Sequence, residues 1–184
     1  MAEVIVLRLS HRIKRDARVT THVFLVARAF NAKGCIYTGS EDKNIEKNIS
    51  NVVKKWGGEF FVSYQKSWKE VVKDYKNKGF SIIHLTMYGI PIQNCIEEIR
   101  KNDKILVIVG SERVPGEIYH NSDFNIAITN QPHSEIAALS IFLHEYFKGK
   151  ELEKGFENAK IKIIPMEKGK RVIKINEEKE NQRN

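Results

Sequence analysis

The chain is poor in cysteine, has no long apolar run, and carries too few acids to balance its bases. Each shortage excludes something. Cys35 and Cys95 are its only thiols, so neither a disulfide framework nor a cysteine-based metal centre is expected. Both fall in apolar stretches and read as buried thiols of a protein in a reducing cytoplasm. No apolar stretch approaches the roughly 18 residues that a membrane span needs. The opening MAEVIVLRLSHR has neither the basic start nor the long apolar core of a secretory signal. The histidines at 11, 22, 84, 120, 133 and 144 show no metal-ligand spacing, so no metal is expected. Also missing are the glycine-flanked serine elbow of a hydrolase, a dinucleotide fingerprint and a phosphate-binding P-loop.

What is present is base. Lys and Arg number 31 against 23 Asp and Glu, giving a formal +8 and a pI near 9.4. Such an excess favours a polyanionic partner through phosphate contacts and counterion release. Charge alone leaves a second reading open, the Lys/Glu-rich surface common in thermophile proteins.

At 184 residues the chain suits one domain with a small appendage. Strand-like and helix-like stretches alternate along it. EVIVLRL (Glu3 to Leu9) reads as a strand, and Asp16 to Asn31 as a helix, capped by Asp16 or by Thr20, with Val19, Val23, Val26 and Phe30 on one stripe. CIYTG, GEFFVSY, FSIIHLTM, KILVIVG and FNIAIT read as further strands, separated by helical segments. Pro91 is expected to open a helix reaching about Lys101, and Pro132 the longest helix, ending near Lys148. The alternation predicts an α/β fold, a mostly parallel sheet with helices on both faces. The tail differs: Lys160 to Ile175 alternates with period two on each side of a Lys-Gly turn, which predicts a β-hairpin. Residues 177–184 are polar and expected to be disordered.

Three strand ends lead into unusual loops. Leu85-Thr86-Met87-Tyr88-Gly89 follows the fourth strand, and Gly110-Ser111-Glu112-Arg113-Val114 the fifth. Ile128-Thr129-Asn130-Gln131-Pro132-His133-Ser134-Glu135 follows the sixth. In a parallel sheet these ends share one edge, where ligands bind, and glycine lets backbone approach a ligand closely. Singly, each loop also reads as structural punctuation: Asn130 or Gln131 makes a helix start, with Glu135 facing the dipole. Together they point to a site. On the same edge lies RLSHRIKRDAR, expected as a loop ahead of the first helix, where Arg8, Arg12, Lys14 and Arg15 would seat RNA phosphates.

HLTMYG, LVIVGSERVPGEIY and NIAITNQPHSEIAALSIFL together resemble the three-part cofactor signature of the SPOUT RNA methyltransferases. With LRLSHRIKRDARVTTHVFLVARAF, nearly the whole chain is similar to their archaeal tRNA (cytidine(56)-2'-O)-methyltransferase branch. The resemblance implies a C-terminal deep trefoil knot over about residues 80–150 of a domain spanning 1–155, followed by the hairpin extension at 156–176. It implies a cytoplasmic homodimer that takes S-adenosylmethionine and methylates the 2'-hydroxyl of cytidine 56 in tRNA. By the same resemblance Leu85, Gly110 to Val114 and Ile128 to Glu135 wrap the cofactor. Arg18, placed ahead of the first helix, is the residue expected to act in catalysis; Arg28, well along that helix, is expected in packing or a surface pair. A guanidinium stays protonated, so Arg18 would hold the target phosphate or stabilise the developing alkoxide. The proton acceptor is unassigned, with His133 and Ser134 as secondary candidates near the reacting group. Two alternatives stand beside this reading: a non-catalytic RNA-binding module, and a SPOUT enzyme acting on a ribosomal RNA ribose or on a base.

Overall fold

The computed structural model describes residues 2–110 and 114–175; the tail expected at 177–184 lies outside the described residues. Six strands form one sheet: β1 (Glu3–His11), β2 (Gly34–Gly39), β3 (Phe61–Tyr64), β4 (Ser81–Pro91), β5 (Lys104–Val109) and β6 (Phe124–Ala127). Their order is β3-β2-β1-β5-β4-β6, and every neighbouring pair is parallel. The chain builds outward from β1 through β2 to β3, then crosses to the other side for β4, β5 and β6.

Parallel strands need crossovers, and the helices that make them cover both faces. Period-two alternation therefore buries both sides of a central strand. In β1, Val4 and Val6 join the core beneath α1 (Ile13–Ala29), α2 (Lys43–Trp56) and α6 (Glu135–Phe147). Ile5, Leu7 and Leu9 join the opposite core beneath α3 (Trp68–Asn77) and α5 (Gly116–Asn121). In β5, Ile105 and Val107 divide from Leu106 and Ile108 in the same way.

Several boundaries differ from the sequence expectation. The first helix starts at Ile13, not Asp16, and its 17 residues make it longer than the 13 of α6. No side chain caps it at Arg12; instead Asp16, one turn in, reaches back to accept from the Arg12 backbone N–H at 3.1 Å. The expected helix from Pro91 to Lys101 is reduced to a 3-10 turn at Ile92–Asn94 and the single turn α4 (Ile96–Ile99), because β4 continues to Pro91. The last helix begins at Glu135 rather than Pro132. Its N-cap is Ser134, whose hydroxyl accepts from the Ile136 N–H at 3.2 Å, so neither Asn130 nor Gln131 is needed there.

The hairpin forms from β7 (Ile161–Ile164) and β8 (Arg171–Lys174). Its root is fastened to the carboxyl end of α2. The Lys160 N–H donates to the Lys55 carbonyl at 3.0 Å, and the Gly58 N–H to that of Glu157 at 2.7 Å. Arg28, near the end of α1, donates to the Gly57 carbonyl at 2.6 Å and lies 4.4 Å over the Phe156 ring. Its expected packing role is thus a bolt between α1, α2 and the tail.

Candidate active site

β4, β5 and β6 are adjacent, so their carboxyl ends gather at one edge of the sheet. Between them lies a cavity of about 730 Å³, within the usual range for small-molecule sites. His84, Leu85, Thr86, Met87 and Tyr88 come from β4, Val109, Gly110 and Val114 from around the β5 exit, and Tyr119 from α5. Pro132, His133, Glu135 and Ala138 close it from the β6–α6 side.

Of the expected cofactor residues, Leu85, Gly110, Val114, Pro132, His133 and Glu135 line this cavity. Ser111, Glu112 and Arg113 lie outside the described residues. Ile128 packs against the core, while Thr129 and Gln131 are exposed away from the lining. Asn130 acts as a brace: its amide donates to the Met87 carbonyl at 2.7 Å and to that of Gly89 at 3.2 Å. Ser134 caps the helix. The sequence reading missed His84, Val109, Tyr119 and Ala138 as lining, and placed no cofactor role on Thr86, Met87 or Tyr88.

The lip has a local cause. β4 pairs with β6 up to Leu85, loses register, and pairs again from Ile90, so residues 86–89 stand out of the sheet. Gly89 permits this, since a Cβ there would sit 2.5 Å from the Asn125 carbonyl oxygen. A Cβ on Gly110 would lie 2.2 Å from Val114 Cγ2, so a side chain at either glycine would have to displace its surroundings.

On the α5 side His84 is fully buried, its Nδ1 2.9 Å from Asn125 Oδ1. The Asn125 amide donates to the Tyr119 carbonyl at 2.9 Å, which turns its oxygen toward the histidine. That assigns the ring proton to Nδ1 and leaves Nε2 an acceptor, for which no partner exists among the described residues. Burial lowers the His84 pKa, so the ring is neutral. Tyr119 packs edge-on against it at 4.8 Å, with its hydroxyl 3.1 Å from Thr86 Oγ1.

The basic segment divides in two. Arg8 was expected to contact phosphate, but it is only 1% exposed. Its guanidinium donates to the Leu9 carbonyl and pairs with Glu135 at 2.9 Å. It therefore braces the cavity from below, and Glu135 answers its charge. Desolvation raises the Glu135 pKa, with Arg8 opposing the shift. Arg12 grips Asp16 with two hydrogen bonds of 2.8 and 3.1 Å, and that hydrogen bonding holds the Asp16 carboxyl below its ordinary range. Lys14, Arg15 and Arg18 stand exposed on the first turns of α1. Arg18 is thus part of the helix and does not precede it, because α1 starts directly after a tight turn from β1. That turn places Ser10 at φ 56°, an uncommon conformation for a side-chain-bearing residue and one that clusters at functional sites. His11 fixes the turn beneath, its Nδ1 2.9 Å from Thr20 Oγ1 and its Nε2 3.5 Å from Asp42 Oδ2.

Comparison with known proteins decides the family. Residues 56–173 match the family described as tRNA ribose 2'-O-methyltransferase, aTrm56. A relative from Sulfurisphaera tokodaii, a tRNA (cytidine(56)-2'-O)-methyltransferase, is 57% identical over 168 residues, covering 90% of this chain and 99% of the relative. The chain belongs to the aTrm56 family. The fold is similar to the TrmH/SpoU tRNA-modifying enzyme of A. aeolicus, with a TM-score of 0.61 at 20% identity over 83% of this chain and 78% of that one. It is also similar to the SpoU methyltransferase AviRb of Streptomyces viridochromogenes, solved with AdoMet, with a TM-score of 0.59 at 12% identity over 80% and 57% of the two chains.

As an aTrm56 protein, the chain carries a cavity and an exposed basic helix start on the same sheet edge. Leu85, Val109, Val114 and Ala138 give that cavity apolar walls, and Gly110 lets backbone approach a flat ring. These residues suit a neutral heterocycle, with the Arg8–Glu135 pair at the wall. Among the described residues no cluster of three His, Cys, Asp or Glu could hold a metal ion, and no helix is long and apolar enough to cross a membrane.

Proposed function

We propose that the chain transfers a methyl group from S-adenosylmethionine to the 2'-hydroxyl of cytidine 56 in tRNA. The observation that carries this reading is one cavity, built from three strand-end loops beside the basic start of α1, in an aTrm56 chain. When bound, S-adenosylmethionine supplies a sulfonium methyl for in-line displacement: the carbon–sulfur bond breaks, the carbon–oxygen bond forms and the hydroxyl loses its proton. The protein's share is placement and exclusion of water. Leu85, Val109, Val114 and Ala138 exclude water from the cofactor, and the lip of Met87 and Tyr88 covers the cavity mouth. Glu135, held by Arg8, presents carboxylate oxygen as a hydrogen-bond acceptor at the wall. Lys14 and Arg15 seat backbone phosphates. Arg18 holds the target phosphate or stabilises the developing alkoxide.

The reading includes a homodimer. Ile13, Tyr88, Ile90 and Ile141 are large apolar side chains exposed by 49%, 75%, 57% and 45%. They lie at the start of α1, on the β4 lip and on α6, and a second copy would cover them. It also includes a trefoil knot over about residues 80–150, which the family resemblance implies, and a cytoplasmic location. A vestigial RNA-binding module has no use for a cavity of this size. The test is incubation of unmodified tRNA with labelled S-adenosylmethionine followed by nucleoside mapping. Label in 2'-O-methylcytidine at position 56 is expected; label elsewhere, or none, refutes the assignment.

A further inference from the structure

The cavity and the α1 basic turn leave most of the chain's excess charge unexplained. Between Lys160 and Ile175, six Lys and Arg stand against Glu167 alone, leaving +5 of the formal +8 in the hairpin. Lys160, Lys162, Lys168, Lys170 and Arg171 are exposed, and among the described residues their side chains enter no ion pair. Cations left unneutralised on so small an element repel one another unless a polyanion covers them.

We infer that the hairpin is a second docking arm for tRNA, gripping its phosphate backbone away from the methylated nucleotide. The inference rests on the tRNA reading above. Three observations shape it. The hairpin contains no aromatic residue, so it offers no platform for stacking a base, and its contacts are to backbone. Its root is rigid, pinned through Lys160, Glu157 and Phe156 to α1 and α2, so the charges are presented in a fixed place. That place is remote. α2 leaves the cavity edge at Lys43 and ends at Trp56, and its 14 residues at ~1.5 Å each span about 21 Å. A substrate reaching both edges must be long, as tRNA is. Ile163 and Val172 pair across the strands, each 56% exposed. They make a second copy of this chain the rival occupant.

The test uses the full chain carrying Lys162→Glu, Lys168→Glu, Lys170→Glu and Arg171→Glu, all exposed positions. KM and kcat are measured with whole tRNA and with a short stem-loop that contains the target nucleotide, alongside the affinity for S-adenosylmethionine and the sedimentation coefficient. The variant is expected to raise KM for tRNA at least about tenfold with kcat within about twofold. It should also flatten the dependence of log(kcat/KM) on log salt by roughly 0.7–0.9 per lost phosphate contact. Cofactor affinity and sedimentation should be unchanged, and the stem-loop should not distinguish variant from parent. An unchanged KM for tRNA overturns the inference, as does an equal loss on the stem-loop. A change in sedimentation assigns the surface to a second copy instead. If the parent itself leaves tRNA unmethylated, the functional reading has failed rather than the arm.

Discussion

Removing the Glu135 carboxylate should cost far more stability than a half-buried surface acid normally would. Its partner Arg8 is 1% exposed and sits 2.9 Å away, whereas the Glu135 side chain retains 23% exposure. At an effective dielectric of 20, two unit charges at that distance attract by about 6 kcal/mol. Desolvation of a buried ion costs several kcal/mol, so the intact pair contributes little net. Breaking it is another matter. Glu135→Ala strands a guanidinium in the core, and orphaned buried charges of this kind cost about 3–5 kcal/mol. At roughly 2–4 °C per kcal/mol for a chain of this size, the melting temperature should fall by roughly 6–20 °C. Arg8→Met should cost less, because water can reach the carboxylate left behind. The double variant Arg8→Met with Glu135→Leu should recover most of the loss, since a well-packed apolar pair replaces a buried ion pair at little cost. Thermal and urea unfolding of the four proteins near neutral pH, without ligand, gives the cycle. Additive single effects, or a loss below about 1 kcal/mol for Glu135→Ala, would refute the bracing role of Arg8.

Arg18→Ala should abolish methyl transfer while S-adenosylmethionine affinity, read by calorimetry, stays nearly unchanged; activity within a few-fold of the parent would remove Arg18 from the chemistry. Gly110→Val drives a branched side chain toward Val114 and should eliminate measurable cofactor binding with the fold intact by circular dichroism, and a normal dissociation constant would contradict the cavity assignment. Burial depresses the pKa of both His11 and His84 below 6.5. The unfolded chain therefore takes up protons first, so stability is full well above 6.5, falls as pH drops through 6.5, and levels off below the folded-state values. Melting temperature should drop as pH is lowered from about 7 to about 5, and His84→Gln should flatten part of that slope. A flat profile in the parent would mean that neither ring is held neutral.

The strands were legible because β1, β4 and β5 are buried on both faces and write near-continuous apolar runs. Their order was not, since nothing local to β5 says that it inserts between β1 and β4. The start of α1 was misread for a physical reason: Arg12 offers no capping side chain, and the compensating acid, Asp16, sits a turn inside the helix. Arg8 looked like one more member of a basic loop. An arginine flanked by Leu7 and Leu9 in a strand apolar on both faces needed a buried counter-charge, and that signal was available. The cavity's β6–α6 side was legible from Pro132, His133 and Glu135. Its other wall was hidden, because His84 reads as strand interior and Tyr119 as helix surface, and only the packing of α5 against β4 brings the two rings edge-on beside one space.

α1 carries Arg18 near its start and Arg28, the bolt on the hairpin root, about 15 Å along its axis at ~1.5 Å per residue. Under the proposed reading, one stiff rod would fix the spacing between the reacting end of the molecule and its distant handle. A nucleic acid whose gripped backbone and target sugar stand at another separation would be rejected by length alone, before any nucleobase is inspected.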